Sequence, residues 1–549
     1  MKKLLFRVFV CGILCSCAIA QKQATSRFSE QCDKMLSGQF KSSEPGAAAL
    51  VARKGRILYA KAFGMANMEL GVPMQVGSVF KIGSITKQFT AVAILQLVEK
   101  GKIHLEDEIT KFIPDYPTRG TRITIEHLLT HTSGIRNYAT IRDTTGRGAL
   151  DFTPREMVDY FKNEPMRFEP GTKWEYSNSG YVLLGAILEQ VTGKSYGDYL
   201  EENIFKPVGM SHSYYAGDKG LVMNRADGYA KNDRGFVHVP YLSMTQPYAA
   251  GSILSTVEDL FRWNRALLSG RLVGKEMLAK AWSRYKLADG TETNYGYGWR
   301  LGFIQESPSL WHGGLINGFI TMALYLPTED VFVAVFSNSQ NNSPEDVTAR
   351  LAALAIGNPY EFHEIPTNGA AQYAGVYEGD NGQLRVVSES GGKLYSQLGR
   401  GTKTMIHAYG KDKFFFEDDP FMTVAFERND RGEINGLVMR SREAMREWKK
   451  SEKAIPSMEG ISLDQRVTEA YIGEYEIRPT FTFSVTRENE RLFVQATGQQ
   501  KFEMFAESET KFFLKVNDTQ FEFVRDDAGK VQKVVLRQNG RTTEAGKIR

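Results

Sequence analysis

Ser84 and Lys87 stand three residues apart near the head of an apolar run, "FKIGSITKQFTAVAILQLVEKG" (80–101). The chemistry such a pair can do is nucleophilic: a hydroxyl attacks a carbonyl carbon, and an amine takes its proton. The spacing alone is not distinctive, since four other Ser-x-x-Lys tetrads begin at Ser78, Ser283, Ser390 and Ser508. Only the tetrad at Ser84 opens a long helical pattern. A helix start carries unpaired N–H groups and the positive end of the helix dipole, and both favour developing negative charge. Residues three apart share a helical face. An apolar wall would lower the lysine pKa by desolvation and leave a neutral amine as a base. Gly83 would let another segment approach closely. The competing reading is structural, with Ser84 as a helix cap and Lys87 as a solvated side chain.

Two further motifs carry polar groups suited to a cleft. In "WEYSNSGYVLLG" (174–185), Tyr176 and Asn178 lie in a polar loop just ahead of a helix. A turn in which Asn178 or Ser179 caps that helix is the alternative. In "WHGGLINGF" (311–319), Gly313 and Gly314 follow His312 at the edge of a strand. The glycines suggest a backbone that a substrate approaches closely, or a bulge. Two other catalytic signatures are absent: there is no glycine-rich phosphate loop and no His-Glu-x-x-His. His127 and His131 lie four apart in "EHLLTHTSG" (126–134), a metal-ligand spacing without the expected glutamate or a third ligand. His131 is therefore read as a polar residue in the turn after a helix, and no metal or other cofactor is expected.

The elements that must position these residues can be read from periodicity. "AAALVARKGRILYAKAFGMAN" (47–67) alternates apolar and polar residues around a Lys-Gly turn and predicts a hairpin. From about Ser84 to Lys100, Ile85, Phe89, Val92, Leu95 and Val98 recur in steps of three or four, predicting an amphipathic helix that Gly101 ends. The chain then stays mainly helical to about residue 290, with "REMVDYFKN", "YVLLGAILEQVTG" and "VEDLFRWNRALLSG" as the clearest helices. Strand signals return at "YGYGWRLGF", "FITMALYLP" and "VFVAVFSNS", and the helix "PEDVTARLAALAIG" follows. Strands at both ends with helices between predict an α+β domain. Its antiparallel sheet is built from distant segments and flanked by helices, with a helical insertion on one side.

Beyond "EFHEIPTNG" the texture changes to short alternating strands, and it repeats. "YAGVYE" (373–378) returns as "YIGEYE" (471–476), "DKFFFE" as "TKFFLK", and "FERNDRGEINGLVMR" as "FVRDDAGKVQKVVLR". An offset near one hundred residues marks a tandem duplication. Strands divided by Gly, Asn and Asp turns predict two small antiparallel barrels. "SEKAIPSMEGISLDQ" is the linker between them.

Composition narrows the function classes. The 549 residues carry a formal charge of +4, with lysine and arginine scattered, so no nucleic-acid partner is expected. "MKKLLFRVFVCGILCSCAIAQKQ" has a basic start, an apolar stretch and Ala18-Ile19-Ala20, the pattern of a secretory leader cleaved after Ala20. Export to a periplasmic or extracellular compartment follows. "LCSC" loosely resembles a bacterial lipoprotein box, so a lipid anchor at Cys17 is the alternative. Cleavage after Ala20 leaves only Cys32 and no internal disulfide. No other stretch is apolar enough to span a bilayer.

In the order Ser84-Ile85-Thr86-Lys87, Tyr176-Ser177-Asn178, His312-Gly313-Gly314, the chain resembles the serine β-lactamases and penicillin-recognising enzymes. The class C β-lactamase-like branch, with its D-alanyl-D-alanine carboxypeptidases, esterases and D-aminopeptidases, is the nearest. "LLTHTSGI", "IFKPVGM", "GSILSTVEDLFRW" and "YGYGWRL" also look like this branch, over about residues 40–355. The resemblance implies a β-lactamase/transpeptidase-like domain at 21–362, after a leader at 1–20 and before β domains at 363–452 and 463–549. It implies Ser84 as acyl-forming nucleophile, Lys87 and Tyr176 as its proton-transfer groups, and Asn178 as the residue holding Lys87 and the substrate amide. The backbone N–H groups of Ser84 and Leu315 would form the oxyanion hole, and His312, with Gly313 and Gly314, would orient the site from the edge strand. Either Lys87 or Tyr176 would be the acylation base. Many β-lactamases have Lys-Thr-Gly where this chain has His312-Gly313-Gly314. The loss of a full charge and of a hydroxyl favours a small ester, amide or short peptide over a β-lactam. A catalytic domain followed by two barrels looks like the D-aminopeptidase arrangement. The rival readings are a D-alanyl-D-alanine carboxypeptidase, a class C β-lactamase, and a non-catalytic receptor for cell-wall fragments or a partner.

Overall fold

The computed structural model describes residues 26–548, except 142–145, 218–219, 361–365, 367–368, 381, 420, 443, 455–456, 458, 479–480 and 539–540. The expected leader and Cys17 lie outside the described residues. The chain divides into two compact units, one ending at Tyr360 and the other beginning at residue 361.

The first unit is built on a six-stranded antiparallel sheet drawn from both ends of the unit. The strands are β1 (Ala47–Arg53), β2 (Arg56–Phe63), β3 (Arg300–Ile304), β4 (Ser307–Ile316), β5 (Phe319–Leu326) and β6 (Val331–Ser337). Their order is β3-β4-β5-β6-β1-β2, so the expected sheet of distant segments forms by pairing β1 with β6. The β1–β2 turn has positive φ at both Lys54 and Gly55, the twist that a two-residue hairpin needs.

The run behind Ser84 is α1 (Thr86–Glu99), preceded by a 3-10 turn at Gly83–Ile85. It differs from the amphipathic helix expected. Every side from Thr86 to Leu97 is buried, including Lys87, Gln88, Thr90 and Gln96. The reason is its place at the centre of the unit, packed against α2 (Asn178–Thr192) and α3 (Tyr248–Gly251). Its polar side chains find partners instead of water: Thr90 Oγ1 donates to Ala249 O at 2.6 Å and Gln96 Nε2 to Leu272 O at 3.0 Å. The turn at Ser84 packs on β4 and β5, while α4 (Val257–Leu268) and α5 (Glu345–Ile356) lie on the sheet.

The second unit holds two closed eight-stranded antiparallel barrels. In the first, Gly375–Gly379 pairs with Met445–Ser451 to close the ring; in the second, Gly473–Arg478 pairs with Arg541–Lys547. Closure removes the exposed edges that short strands would otherwise leave. Both barrels repeat one packing device. Tyr377 donates its hydroxyl to Tyr373 O at 2.7 Å, and Tyr475 to Tyr471 O at 2.8 Å.

Candidate active site

Ser84 sits in the 3-10 turn, partly exposed, where Ile82 and not Ser84 occupies the cap position. Gly83 has φ +51°, and a β-carbon there would come within 3.0 Å of Leu315 N and 3.2 Å of Gly314. The close approach expected of Gly83 is therefore made by β4, which brings the Leu315 backbone beside Ser84. Gly314 answers from the other side: a β-carbon on it would lie 2.0 Å from Ile82 O. Gly314 thus admits the chain's own Ile82–Gly83 segment.

Lys87 is 0% exposed, which rules out a solvated side chain. Its Nζ lies 2.7 Å from Asn178 Oδ1, 2.8 Å from Ala250 O and 3.2 Å from Ser84 Oγ. Burial, aided by the Arg300 guanidinium, holds its pKa well below the usual lysine value. Tyr176 lies beside it, with its ring centroid 4.8 Å from Nζ. Burial raises the Tyr176 phenol above its usual pKa, and a hydrogen bond with Ser84 acts in the opposite direction.

Asn178 is the first residue of α2, whose N-cap is Ser177 and carries no side-chain cap hydrogen bond. Asn178 is fixed by Asn137, whose Oδ1 accepts from Asn178 N at 3.2 Å and Asn178 Nδ2 at 3.3 Å. His312 is buried on β4. Its Nδ1 faces Gly313 O at 2.7 Å, so that nitrogen carries the proton and Nε2 accepts from the Tyr295 hydroxyl at 2.9 Å. Burial, with Lys87 and Arg300 nearby, pushes its pKa well below the usual histidine range. That shift favours the uncharged imidazole. Gly313 has room where Gly314 has none, since a β-carbon on it would meet only Met322 Sδ at 3.5 Å and Thr321 O at 3.6 Å.

Ser84, Asn178 and Leu315 line one pocket of about 250 Å3, with Tyr138, Gln246 and Ile316 among its other walls. No charged side chain lines it among the described residues. Leu315 is 63% exposed at its rim.

Three contributors escaped the sequence reading. Asn137 anchors Asn178. The Arg300 guanidinium, at the start of β3, lies 5.4 to 6.0 Å from the rings of Trp174, Tyr176, Tyr295 and Trp311. His131 sits in the turn after a helix, as expected, but it is also buried against Tyr176, with ring centroids 4.3 Å apart. It does not share a helical face with His127, because that helix ends at Leu129. The two polar neighbours of catalytic-type motifs had no signal, because each acts through fold contacts distant in sequence.

Residues 26–357 match the Beta-lactamase family model, and the chain belongs to that family of penicillin-recognising serine hydrolases. Residues 459–545 match a second model, described as a domain of unknown function (DUF3471). Penicillin-binding protein 4* of Bacillus subtilis (strain 168) is 28% identical over 520 residues, covering 90% of this chain and 93% of that protein. An octameric penicillin-binding protein homologue from Pyrococcus abyssi has a TM-score of 0.54 at 27% identity, covering 77% of this chain and 99% of that one. A D-stereospecific amidohydrolase from Streptomyces sp. has a TM-score of 0.51 at 26% identity, covering 58% of this chain and 97% of that one. The protein is thus a serine hydrolase of this superfamily, and the expected α+β domain followed by two β barrels is borne out.

Proposed function

We propose that the enzyme hydrolyses a small ester or peptide-type amide through an acyl-Ser84 intermediate, with Lys87 as the base of acylation. The observation that carries this reading is the hydrogen bonding of Lys87. A neutral amine has two N–H bonds, and Asn178 Oδ1 and Ala250 O accept both. Only its lone pair is left for Ser84 Oγ, 3.2 Å away. Ser84 Oγ then bonds to the substrate carbonyl carbon while its proton passes to Lys87 Nζ. The backbone N–H groups of Ser84 and Leu315 hold the oxyanion. Tyr176, whose raised pKa keeps it protonated, supplies a proton as the bond to the leaving group breaks and regains one from Lys87 Nζ, which restores the neutral amine. Water then adds to the acyl carbon and releases the acid, returning the proton to Ser84. Asn178 holds Lys87 and the substrate amide, and His312 orients the network.

The uncharged pocket supports a substrate without a free carboxylate beside the scissile bond, and it offers no carboxylate to a free ammonium either. N-acylated amino acid esters and amides fit both conditions. Likeness to the D-stereospecific amidohydrolase supports D configuration. A second reading, D-alanyl-D-alanine carboxypeptidase or β-lactamase, is favoured by the likeness to penicillin-binding protein 4* over most of both chains. Residues 1–20 support export, with a mature protein starting at Gln21.

The test is a panel of N-acetyl-D- and N-acetyl-L-alanine 4-nitrophenyl esters and 4-nitroanilides, a D-alanyl-D-alanine peptide and a chromogenic cephalosporin. Turnover of the D-series, reduced at least about 10³-fold in Ser84→Ala, is expected. Faster turnover of the peptide or the cephalosporin favours the second reading. No turnover of any member favours a receptor.

A further inference from the structure

We propose that His131 is a positioning residue that sets the orientation of Tyr176, an inference that rests on the reading of Tyr176 as a proton-transfer group. Tyr176 belongs to a loop, so neither a sheet nor a helix fixes its backbone. One residue does so from both sides. Glu175 N–H donates to His131 O at 3.0 Å, and Ser177 N–H donates to His131 Nδ1 at 3.2 Å. The peptide N–H groups flanking Tyr176 therefore both end on His131, whose ring also packs on the phenol at 4.3 Å.

The backbone of His131 is shaped for this grip. Its φ of +60° is uncommon outside glycine, and it accompanies the approach of both the carbonyl and the imidazole to the 175–177 segment. Because Nδ1 accepts, the ring proton resides on Nε2. That nitrogen is buried without a hydrogen-bond partner, and the rings of Tyr295, Tyr181 and Trp174 have centroids 4.6, 5.2 and 6.2 Å from the imidazole. Burial, with Lys87, His312 and Arg300 nearby, keeps the imidazole neutral, so Nδ1 remains an acceptor. Asparagine tolerates the backbone and offers an acceptor but has no ring; phenylalanine has the ring but no acceptor.

A double-mutant cycle tests the proposal, using His131→Ala, His131→Asn, Tyr176→Phe and the combined variants in the full chain. The substrates are N-acetyl-D-alanine 4-nitrophenyl ester and the matching 4-nitroanilide. His131→Ala should lower kcat for the anilide about 10²-fold, with KM changed less than about threefold, because misplacing a proton donor affects the transition state. The ester should lose less, since nitrophenolate departs without a proton. His131→Asn should recover part of the loss. In the Tyr176→Phe background, His131→Ala should cost less than about threefold. An equal loss in both backgrounds, or equal losses for ester and anilide, would overturn the proposal. So would wild-type kcat in His131→Ala. If His131→Ala does not fold, the αL-tolerant His131→Asn carries the same cycle. Wild-type activity in Tyr176→Phe would overturn the proposal by removing Tyr176 from the chemistry, while loss in Ser84→Ala would still uphold the wider reading.

Discussion

At the scale of single residues, the site is organised to keep its basic groups uncharged. Lys87, His131 and His312 are all buried, and the pKa of each is pushed well below its usual value, chiefly by desolvation. Arg300 adds to all three shifts, so it belongs to the electrostatics of the site although it makes no hydrogen bond with Ser84 or Lys87. Its effect has a definite sign. Removing a cation near Lys87 favours the protonated amine and raises its pKa, so the acid limb of kcat/KM moves to higher pH in Arg300→Gln. The measurement is a pH–rate profile of both proteins: activity should fall more at acid than at alkaline pH. An unmoved acid limb would remove Arg300 from the account. That Ser84, Lys87, Tyr176, Asn178 and His312 come together was legible, because their types recur in motifs with a chemical reason for the spacing. Arg300 and Asn137 were not, because a lone arginine or asparagine acquires meaning only when folding brings it within reach of Lys87 or Asn178.

Elements decide where these groups meet. The 3-10 turn at Gly83–Ile85 and strand β4 are joined by two glycines whose demands differ from a third. Gly314→Ala would place a β-carbon 2.0 Å from Ile82 O, a backbone atom that cannot swing aside. We predict a loss of about 3 kcal/mol or more in denaturant unfolding, with acylation impaired as β4 shifts. A β-carbon at residue 313 meets only ordinary contacts, so Gly313→Thr should cost less than about 1 kcal/mol while it supplies the hydroxyl that this glycine lacks. Its cephalosporin turnover should rise relative to the wild type; an unchanged ratio would mean that residue 313 does not set substrate choice. Periodicity predicted most of the elements here, including β5, β6, α2, α4 and α5. It mistook α1 for an amphipathic helix because Gln88, Thr90 and Gln96 look solvent-facing in sequence. Their acceptors and donors come from Trp263, Ala249 and Leu272, far along the chain.

At the scale of the whole molecule, a catalytic unit is followed by a duplicated β unit. The repeat and the barrel form of each copy were visible in sequence, but the pair of strands that closes each ring was not: they lie some seventy residues apart, a nonlocal pairing with no short-range signature. The two copies keep the hydrogen bond within their tyrosine pair but differ in the partner of its first member. Tyr373 donates to Asp412 in the first barrel, where its counterpart Tyr471 donates to Glu509 O in the second. Arg428 binds Asp412, and Arg525 reaches the Tyr471 hydroxyl. Tyr377→Phe and Tyr475→Phe each delete one buried hydrogen bond at equivalent positions. Each should cost about 1–2 kcal/mol and lower a barrel transition in calorimetry while leaving Ser84 acylation unchanged. A loss of acylation in either variant would contradict their purely structural role.

The central claim is that Ser84 is an activated nucleophile with a neutral Lys87 as its base. Intact-mass spectrometry after exposure to a fluorophosphonate, with peptide mapping, tests it most directly. The account predicts a single adduct on Ser84, absent in Ser84→Ala and formed at least about 10²-fold more slowly in Lys87→Met. A folded protein with no adduct, or with the adduct on another residue, would contradict it.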